Sequence, residues 1–546
     1  MEYENLVGLL KARTDAHPER PFLRYYRDES WQDWSYAIVL RRVEAIAGGL
    51  AALGIRSGER VAIIAGARPE WLLADLGSMA AGAIVAGVDP RLSPHETACT
   101  LDHAEVRVAF VEGPNHAARL AEFRHTMPHL EHLVLLEGEA PDGAGLLSLA
   151  ALEALAEPDQ GADLLARQAR RPREAPAAIC YTSGTTGVPR GAVLTHGQLL
   201  GALEAAAHAF GDEHAEVDVW LDAAPPSHAL GRVCGQFAPL LLGRTLAFAR
   251  RGDTLVDDAA EVRPHAIVAA PHVLARMIER VPTRPIRERL GDRLSFVFCG
   301  GAPVPTDVEH AFEAEGVHVC AGWGLAETAG PVTLNRPGAT RPGSIGRPLP
   351  GIEVRVGEDG ELLVHGPNVF SGYLRDPEGT EDAFDRNGFL RTGDIGHIDD
   401  DGFVHLTGRR KEMIVTTDGR SVAPQKLEQM LRERPFIASA MAYGHQRPFV
   451  VALITLDRDA LISWHPELSD RPLDDPALHT LVEDEVRRVN DRLAQFERIR
   501  AFRLLEGEPA DPEPLPRRAR RRRAEARHQK LLEAMYAAEQ VASRPS

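Results

Sequence analysis

The first 110 residues alternate segments of helical periodicity with short apolar runs. Residues 41–53 carry apolar side chains at helical spacing before Gly54, and residues 70–81 repeat that pattern. The continuous apolar runs are 60–65, 82–87 and 106–111. Such runs are typical of strands buried on both faces. Because they alternate with helices, they favour a parallel α/β sheet over an antiparallel sandwich.

The pattern of apolar and polar residues changes along the rest of the chain. Residues 137–174 contain acidic and Gly/Pro-rich pieces and are interpreted as a connection, and a second α/β block follows to about residue 332. Residues 343–405 have short strands broken by Gly, Asp and Pro, which indicates a small β-rich subdomain. The predicted fold is α/β, with a large N-terminal domain of stacked α/β sheets over residues 1–407. A small α+β C-terminal domain is predicted over residues 408–546.

Length and composition narrow the function classes. At 546 residues the chain is too long for one compact core, so two or three structural units are expected. A hydrophobic fraction of 44% and a charged fraction of 26% are ordinary for a globular protein. The net charge of -17 argues against a nucleic-acid partner, which would need a basic face. Five scattered cysteines without a C-x-x-C pair argue against a disulfide framework or a zinc site.

Targeting and membrane signals are also absent from the pattern. No apolar stretch is long enough to span a bilayer, so no transmembrane segment is predicted. The first 20 residues have no basic region followed by an apolar core, which argues against a secretory signal. A cytoplasmic location is therefore expected, with a peripheral membrane contact left open.

Lysine is scarce in this chain. It occurs only at Lys11, Lys411, Lys426 and Lys530, so arginine supplies 58 of the 62 basic residues. We interpret this bias as an exchange of lysine for arginine wherever a general positive charge suffices. Each remaining lysine is therefore more informative than usual, and each arginine at a lysine position less so.

A loop rich in Gly, Ser and Thr follows an apolar strand at Tyr181–Gly191, YTSGTTGVPRG. Glycines let backbone N–H groups approach an anion, and hydroxyls supply further donors. The candidate anion contacts are Thr182, Ser183, Gly184, Thr185, Thr186, Gly187 and Arg190. The Walker pattern does not fit. A flexible surface loop is the alternative interpretation.

Further motifs follow in order along the chain. They are Phe298–Pro303 (FCGGAP), Gly322–Thr328 (GWGLAET), Leu390–Gly396 (LRTGDIG) and Leu406–Ile414 (LTGRRKEMI). With the loop, they resemble the signatures of the adenylate-forming, or AMP-binding, superfamily. The segment of residues 225–242, together with the motif Leu406–Ile414, is most similar to those of bacterial medium- and long-chain fatty acyl-CoA synthetases. The resemblance spans nearly the whole chain and is weakest at the C-terminal end.

The resemblance implies a set of nucleotide and metal contacts. Gly301, Ala302 and Pro303 would lie along the adenine, and Gly322, Trp323, Gly324 and Ala326 belong to the aromatic signature. Asp394 would hold the ribose hydroxyls and Arg409 the ribose or phosphate oxygens. Glu327 and Thr185 would bind Mg²⁺. Each of these residues also has an interpretation that does not need the resemblance. Alone, Asp394 would be interpreted as a turn aspartate, Trp323 as a packing residue and Glu327 as a solvated surface group.

The resemblance also implies catalytic and mobile parts. His228 would lie near the acyl pocket and the substrate carboxylate, although a lone histidine is otherwise structural. The apolar segment 233–242 would line that pocket. The C-terminal domain would be mobile about a hinge near Lys411, bringing Gly419 and Arg420 to the pantetheine channel of coenzyme A. Arg518 takes the place of the cation that bridges the carboxylate and the α-phosphate.

Three positions depart from the family pattern. Arg190 and Arg518 stand where lysine is usual, and Ala326 where threonine helps to bind phosphate and magnesium. The alignment at Arg518 leaves Arg517 and Arg520 open. Lysine scarcity is one explanation for the two arginines, but arginine is a broader cation than lysine. It does not explain Ala326, and losing a hydroxyl near developing charge costs roughly 2–4 kcal/mol.

The arginine tract of residues 517–523 has several interpretations. Most such runs form a solvated helix face. The alternatives are a contact with the phosphates of coenzyme A, an anionic membrane surface, or the displaced catalytic cation.

The sequence therefore predicts an enzyme, an AMP-forming acyl-CoA synthetase. It would use ATP, Mg²⁺ and coenzyme A to turn a carboxylic acid, expected to be a fatty acid, first into an acyl-adenylate and then into acyl-CoA. One alternative is an acyl-AMP ligase that passes the acyl group to an acyl carrier protein. This ranks lower because we see no large insertion of the kind that blocks the CoA-active closure. The other is a catalytically impaired homologue that binds nucleotide or acyl-adenylate.

Overall fold

The computed structural model describes residues 3–140, 146–182, 190–211, 217–250, 254–279, 285–417, 420–507, 509 and 517–542. The strands are β1 (Pro21–Arg27), β2 (Ser30–Ser35), β3 (Arg60–Ile64), β4 (Ile84–Val88), β5 (Val106–Val111), β6 (His132–Leu135), β7 (Leu146–Ser148), β8 (Pro176–Thr182), β9 (Arg190–Thr195), β10 (Val219–Asp222), β11 (Thr245–Phe248), β12 (Ala266–Val268), β13 (Phe296–Gly300), β14 (His318–Leu325), β15 (Gly330–Leu334), β16 (Arg347–Pro348), β17 (Glu353–Val356), β18 (Glu361–His365), β19 (Gly372–Tyr373), β20 (Leu390–Ile398), β21 (Val404–Arg409), β22 (Ile414–Val415), β23 (Ser421–Val422), β24 (Ile437–Tyr443), β25 (Val450–Leu456) and β26 (Ile499–Leu505).

The α-helices are α1 (Leu6–Ala16), α2 (Tyr36–Ala52), α3 (Pro69–Ala80), α4 (Pro94–His103), α5 (Pro114–Ala121), α6 (Leu149–Ala154), α7 (Gln160–Gln168), α8 (His196–Phe210), α9 (Ala238–Leu242), α10 (Leu255–Val262), α11 (Pro271–Glu279), α12 (Ile286–Arg289), α13 (Thr306–Glu313), α14 (Pro377–Asp382), α15 (Pro424–Arg432), α16 (Arg458–Trp464), α17 (Pro476–Asn490) and α18 (Arg517–Ala542). Short 3-10 turns are Arg124–Thr126, Ala326–Thr328, Arg410–Glu412 and Pro466–Leu468, and a π-helix is formed by Leu230–Phe237.

The chain divides into two compact units. The first contains Met1–Arg355, Leu363–Thr392 and Ile398–His405, and the second Val356–Leu362, Gly393–His397 and Leu406–Ser546. The predicted boundary at residue 408, and the mobility of the second domain, remain predictions.

Within the described residues, two large sheets form the first unit. One has nine strands in the order β16-β15-β14-β13-β12-β10-β11-β1-β2, and the other has eight in the order β19-β9-β8-β4-β3-β5-β6-β7. Both have a parallel centre with antiparallel strands at an edge. This arrangement confirms the predicted α/β class with stacked sheets.

Helix α3 explains how the two sheets are joined. It contacts β3 and β4 of the eight-stranded sheet and β1 of the nine-stranded sheet. All twelve of its residues are buried, because the segment PEWLLADLGSMA faces protein on every side. The acidic residues Glu70 and Asp75 are buried with the rest, so each needs a partner inside the protein.

The smaller sheets lie later in the chain. A sheet with the order β17-β18-β20-β21 occupies residues 353–409. The second unit also contains the sheet β24-β25-β26 and the hairpin β22-β23. Its core packs helices α15 and α17 against β24 and β25, with Leu427, Val482 and Ile454 fully buried.

Agreement with the sequence pattern is closest for the buried strands. The runs at 60–65 and 106–111 form β3 and β5. The interpretation of residues 137–174 as a connection is wrong, because the described part of that segment forms β7, α6 and α7. These elements are short and expose much of their surface, so their composition resembles that of a loop.

Candidate active site

A charged cluster in the first unit brings together two residues predicted from motifs and two that were not. The Tyr373 hydroxyl donates to Glu327 Oε1 over 2.7 Å. The Arg190 guanidinium lies 5.3 Å from the centre of the Tyr373 ring, and its Nε is 3.2 Å from Asp376 Oδ2. We call these four residues the Glu327–Asp376 cluster. Burial, and then the negative charge of Glu327, raise the pKa of Tyr373, so it remains a hydrogen-bond donor.

Local pairing explains why these residues meet. Strand β19 pairs antiparallel with β9, with Tyr373 opposite Ala192, close in the chain to Arg190. Helix α8 begins directly after β9 with a capping box, in which Thr195 Oγ1 accepts from Gln198 N and Gln198 Oε1 accepts from Thr195 N. The cap fixes the chain direction at the end of the strand that carries Arg190.

The turn that carries Glu327 also contains the departure at Ala326. Residues Ala326–Thr328 form a single 3-10 turn after β14. Thr328, the last residue of this turn, has a hydroxyl two positions after Ala326. That hydroxyl is fully buried, accepts from Leu325 N over 2.8 Å and donates to Gly330 O over 2.8 Å. It is committed to the turn and does not replace a hydroxyl at position 326.

The aromatic signature lies in β14. Gly324 lies against the neighbouring strand so closely that a Cβ atom there would be 2.0 Å from Gly330 O. Gly322 pairs with Leu334 across the same ladder. Trp323 is only 6% exposed, as the packing interpretation requires, and its stacking on a purine remains a prediction.

The predicted adenine segment follows β13. Gly301, Ala302 and Pro303 are all exposed. Gly301 has φ of +78° with open space where a Cβ would lie, so glycine is favoured there by backbone conformation rather than by crowding. The exposed backbone is compatible with the predicted contact.

The phosphate loop is described only at its ends. Thr182 pairs with Arg190 across the β8–β9 ladder. Ser183, Gly184, Thr185, Thr186 and Gly187 lie outside the described residues. The predicted magnesium contact of Thr185 is among them.

His228 lies five residues before the segment 233–242, which is predicted to line an acyl pocket. Its side chain is 57% exposed, with Nε2 3.5 Å from Asp89 Oδ2. Burial alone would raise the pKa of Asp89, but hydrogen bonds from His228 and Arg91 outweigh that effect and lower it. Asp89 is therefore an anion that orients the exposed imidazole.

The π-helix after His228 carries a buried ion pair that the sequence analysis missed. Arg232 Nε and Nη2 donate to the two oxygens of Asp75 over 2.9 and 2.5 Å. The guanidinium lies 5.4 Å from the ring of Trp71 and 5.9 Å from that of Phe237. An aspartate among the mostly apolar residues of α3 is the signal that could have revealed the pair.

A second buried carboxyl, Asp222, has no ion-pair partner among the described residues. It lies at the end of β10, fully buried, and Oδ1 accepts from Ala224 N over 3.0 Å. Burial raises the pKa of Asp222 to about 8. A Cβ at Gly235 in the π-helix would lie 2.6–2.8 Å from the carboxyl atoms, which explains glycine there.

The predicted ribose contacts lie in the second unit. Asp394 is 3% exposed, and Arg409 Nε lies 2.8 Å from its Oδ1. Glu361 accepts from Gly393 N over 2.8 Å and from Arg410 over 3.0 Å. Glu361 and Arg410, which no motif pointed to, thus fix the backbone on each side of the Asp394–Arg409 pair.

The remaining predicted residues are described less completely. Lys411 lies in the 3-10 turn Arg410–Glu412, but its side chain is outside the description, as is Gly419. The Arg420 guanidinium lies 5.1 Å from the Phe496 ring. Arg518 lies in α18 without a described side chain, as do Arg517 and Arg520.

One arginine of the basic tract faces inward. Arg521 Nη1 lies 2.5 Å from Glu428 Oε1, and its side chain is 16% exposed. It also donates to Ala442 O and lies 5.5 Å from the Tyr443 ring. The tract is therefore not wholly a solvated face.

The described residues show neither a metal cluster nor a membrane-spanning helix. They contain no group of three or more His, Cys, Asp or Glu side chains placed to hold a metal ion. Glu327 is nevertheless a hard oxygen ligand of the kind that binds Mg²⁺ together with nucleotide phosphates. No described helix is long and apolar enough to cross a membrane.

Comparison with protein families defines the class. The family described as AMP-binding enzyme matches residues 10–374, and the AMP-binding enzyme C-terminal domain matches residues 411–540. The chain therefore belongs to the AMP-binding enzyme family, and the resemblance seen in the motifs is confirmed.

Individual proteins give a narrower comparison than the family models do. The chain is 30% identical over 557 aligned positions to the long-chain-fatty-acid–CoA ligase FadD15 of Mycobacterium bovis, with 92% of each chain covered. Its structure is similar to ATP-bound MatB from Rhodopseudomonas palustris, with a TM-score of 0.75, 25% identity, and coverage of 94% of this chain and 97% of that one. A fatty acyl CoA synthetase of Mycobacterium tuberculosis has the same fold, with a TM-score of 0.70, 23% identity, and 96% and 99% coverage.

Proposed function

We propose that the chain is an AMP-forming ligase that joins a fatty acid to coenzyme A at the expense of ATP. The observation that carries this is the similarity to a long-chain-fatty-acid–CoA ligase over 92% of each chain, together with matches to both domains of the family. It agrees with the function predicted from the motifs. No finding supports an acyl carrier protein as acceptor, and the cytoplasmic location remains a prediction.

The reaction has two steps. A carboxylate oxygen attacks the α-phosphorus of ATP, the bond to the β-phosphate oxygen breaks, and pyrophosphate leaves. The thiolate of coenzyme A then attacks the acyl carbon, and AMP leaves with the electron pair of the broken C–O bond. Both steps depend on positioning and on neutralising phosphate charge, which Mg²⁺ supplies when bound.

The residues divide between these tasks. Glu327 would bind the metal, Arg190 would face phosphate charge, and His228 would lie by the acid. Asp394 and Arg409 would hold the ribose, Gly301–Pro303 the adenine, and Arg518 the carboxylate and α-phosphate. The cluster geometry supports the first two roles, because Glu327 and Arg190 are linked through Tyr373.

A pyrophosphate-release assay with saturated fatty acids of increasing length, with and without coenzyme A, tests the proposal. Release is expected to require both ATP and acid, and acyl-CoA is expected only with the thiol present. Glu327→Gln is expected to lower the rate on the order of 100-fold. Glu467→Gln removes an exposed carboxylate in the second unit and serves as the matched control.

A second candidate, a nucleotide-binding homologue with impaired catalysis, is favoured by Ala326. Thr328 does not supply the missing hydroxyl. Tight ATP binding by calorimetry without pyrophosphate release from any acid would overturn the ligase proposal in its favour.

A further inference from the structure

Tyr373 connects two residues of the Glu327–Asp376 cluster that no motif links. Its hydroxyl donates to Glu327 Oε1 over 2.7 Å, while its ring faces the Arg190 guanidinium at 5.3 Å. The hydrogen bond has a charged acceptor, which makes it stronger than a neutral one and sensitive to geometry. One side chain therefore touches both the predicted metal ligand and the predicted phosphate contact.

The segment that carries Tyr373 makes two further hydrogen bonds to the turn that carries Glu327. Phe370 N donates to Glu327 O over 2.7 Å, and Asn368 Nδ2 donates to Thr328 O over 2.9 Å. Asn368 is fully buried. Because backbone and side chain of Glu327 are both held by this segment, its carboxylate has a defined position before any ligand binds.

Arg190 is held from a second side by Asp376. Asp376 Oδ2 lies 3.2 Å from Arg190 Nε, while its Oδ1 accepts from Gly379 N over 2.8 Å and caps α14. A guanidinium is flat and delocalised, so it can face an aromatic ring and pair with a carboxylate at its edge. Lysine offers no such plane, so this environment suits the arginine found at position 190.

We infer that Tyr373 is a positioning residue, whose hydroxyl orients the Glu327 carboxylate toward Mg²⁺ and whose ring orients Arg190 toward the phosphates. The inference rests on the proposed function, in which Glu327 binds the metal. It assigns the departure from lysine at Arg190 to a fit with Tyr373 and Asp376.

Tyr373→Phe separates the two contacts, because it removes the hydroxyl and keeps the ring. The Mg²⁺ dependence of binding of a non-hydrolysable ATP analogue, measured by calorimetry, is expected to shift on the order of 10-fold to higher Mg²⁺. Binding of the analogue in EDTA is expected to stay unchanged. Tyr25→Phe is the matched control, since it removes another tyrosine hydroxyl of the first unit, one bonded to Gln32 at 3.1 Å.

Tyr373→Leu tests the ring. It is expected to weaken analogue binding further than Tyr373→Phe in the wild-type background, and to add much less in an Arg190→Gln background, where no guanidinium remains to orient. Equal effects in the two backgrounds would overturn the role of the ring.

Two outcomes separate this inference from the proposed function. If Glu327→Gln changes the Mg²⁺ dependence and Tyr373→Phe does not, the positioning role is wrong while the ligase proposal stands. If Glu327→Gln itself leaves the Mg²⁺ dependence unchanged, the metal role of Glu327 fails, and the inference fails with it. Circular dichroism and thermal unfolding of each variant exclude a folding defect as the cause.

Discussion

Two arginines of the first unit, Arg232 and Arg190, have opposite surroundings. Arg232 is 2% exposed and bonded to a fully buried Asp75. Arg190 is 37% exposed, and its partner Asp376 is 31% exposed. Both guanidinium groups also face an aromatic ring. Charge, partner type and ring contact are therefore alike, and burial is what separates them.

The difference indicates what each pair is for. Separating a buried pair leaves a charge in a medium that cannot solvate it, so Arg232 is fixed to Asp75. A half-exposed pair contributes little to stability because water screens it. Arg190 can therefore exchange Asp376 for a phosphate at small cost, whereas Arg232 cannot change partners. The position that departs from the family pattern is the one able to exchange.

The largest expected effect comes from breaking the buried pair. Arg232→Met is expected to lower the free energy of unfolding by about 3–5 kcal/mol, because Asp75 loses its only ion-pair partner among the described residues. Urea unfolding followed by tryptophan fluorescence measures it, and Trp71 beside Arg232 is a local probe.

Two variants control this prediction. Arg341→Met removes a more exposed arginine paired with Asp399 and Asp401, and is expected to cost much less. The double variant Asp75→Leu/Arg232→Met is expected to be more stable than Arg232→Met alone. A loss below 1 kcal/mol for Arg232→Met would contradict the distinction drawn between the two arginines.

Asp222 extends the comparison to a buried carboxyl without a cation. Its folded-state pKa is raised to about 8, while in the unfolded chain it titrates near 4. Between these values the folded state holds a proton that the unfolded state has lost. The free energy of unfolding should therefore fall as pH rises from about 4 to about 8, with a slope of up to about 1.4 kcal/mol per pH unit.

Asp222→Asn should remove that contribution. Unfolding of the wild type and the variant at pH 6, 7 and 8 is the measurement, and the difference between them is expected to grow with pH. Asp218→Asn, at a half-exposed aspartate of the same unit, is the control. Parallel stability profiles for wild type and Asp222→Asn would refute the raised pKa.

A hydroxyl restored next to Glu327 tests the Glu327–Asp376 cluster directly. Ala326→Thr is expected to raise the rate of pyrophosphate release in a single turnover about 10-fold, since a hydroxyl would again face the phosphates. Ala314→Thr, at an exposed helix end, is the control. An unchanged or lower rate for Ala326→Thr would indicate that other groups already compensate.

The smallest effect on stability is expected for the half-exposed pair. Asp376→Asn keeps the cap of α14, because asparagine also caps helices, and removes only the charge facing Arg190. Stability should change by less than about 1 kcal/mol, with KM for ATP rising roughly two- to threefold. Asp376→Ala removes the cap as well and should cost about 1 kcal/mol more. A loss for Asp376→Asn as large as that for Arg232→Met would remove the contrast.

The parts of the fold predicted from sequence are those with local causes. Strands β3 and β5 are continuous apolar runs, and an element buried on both faces shows this in its own residues. Helices α6 and α7 were missed because their exposed positions give them the composition of a connection. The π-helix Leu230–Phe237 had no recognisable signal, since its periodicity differs from that of α-helices and strands.

The candidate site was predicted in a similar way. Glu327, Arg190, Asp394 and Arg409 stand in motifs with a fixed order and were predicted without a structure, and their roles remain predictions. Tyr373, Asp376 and Glu361 lie outside these motifs, and only their contacts point to them. The role of the Thr328 hydroxyl could not be predicted from the sequence. A hydroxyl next to Glu327 is equally compatible with phosphate binding and with the turn contacts that Thr328 makes.

The family, the order of the motifs and the three departures from them could be read from the chain alone, because each depends on adjacent residues. Only the packing of the folded chain shows that Arg232 is buried with its partner and that Arg190 is partly exposed. Arg232 and Asp75 are 157 positions apart, and Tyr373 and Glu327 are 46 apart. Burial and partner choice depend on which distant segments pack together, and those in turn decide whether water can replace a lost partner.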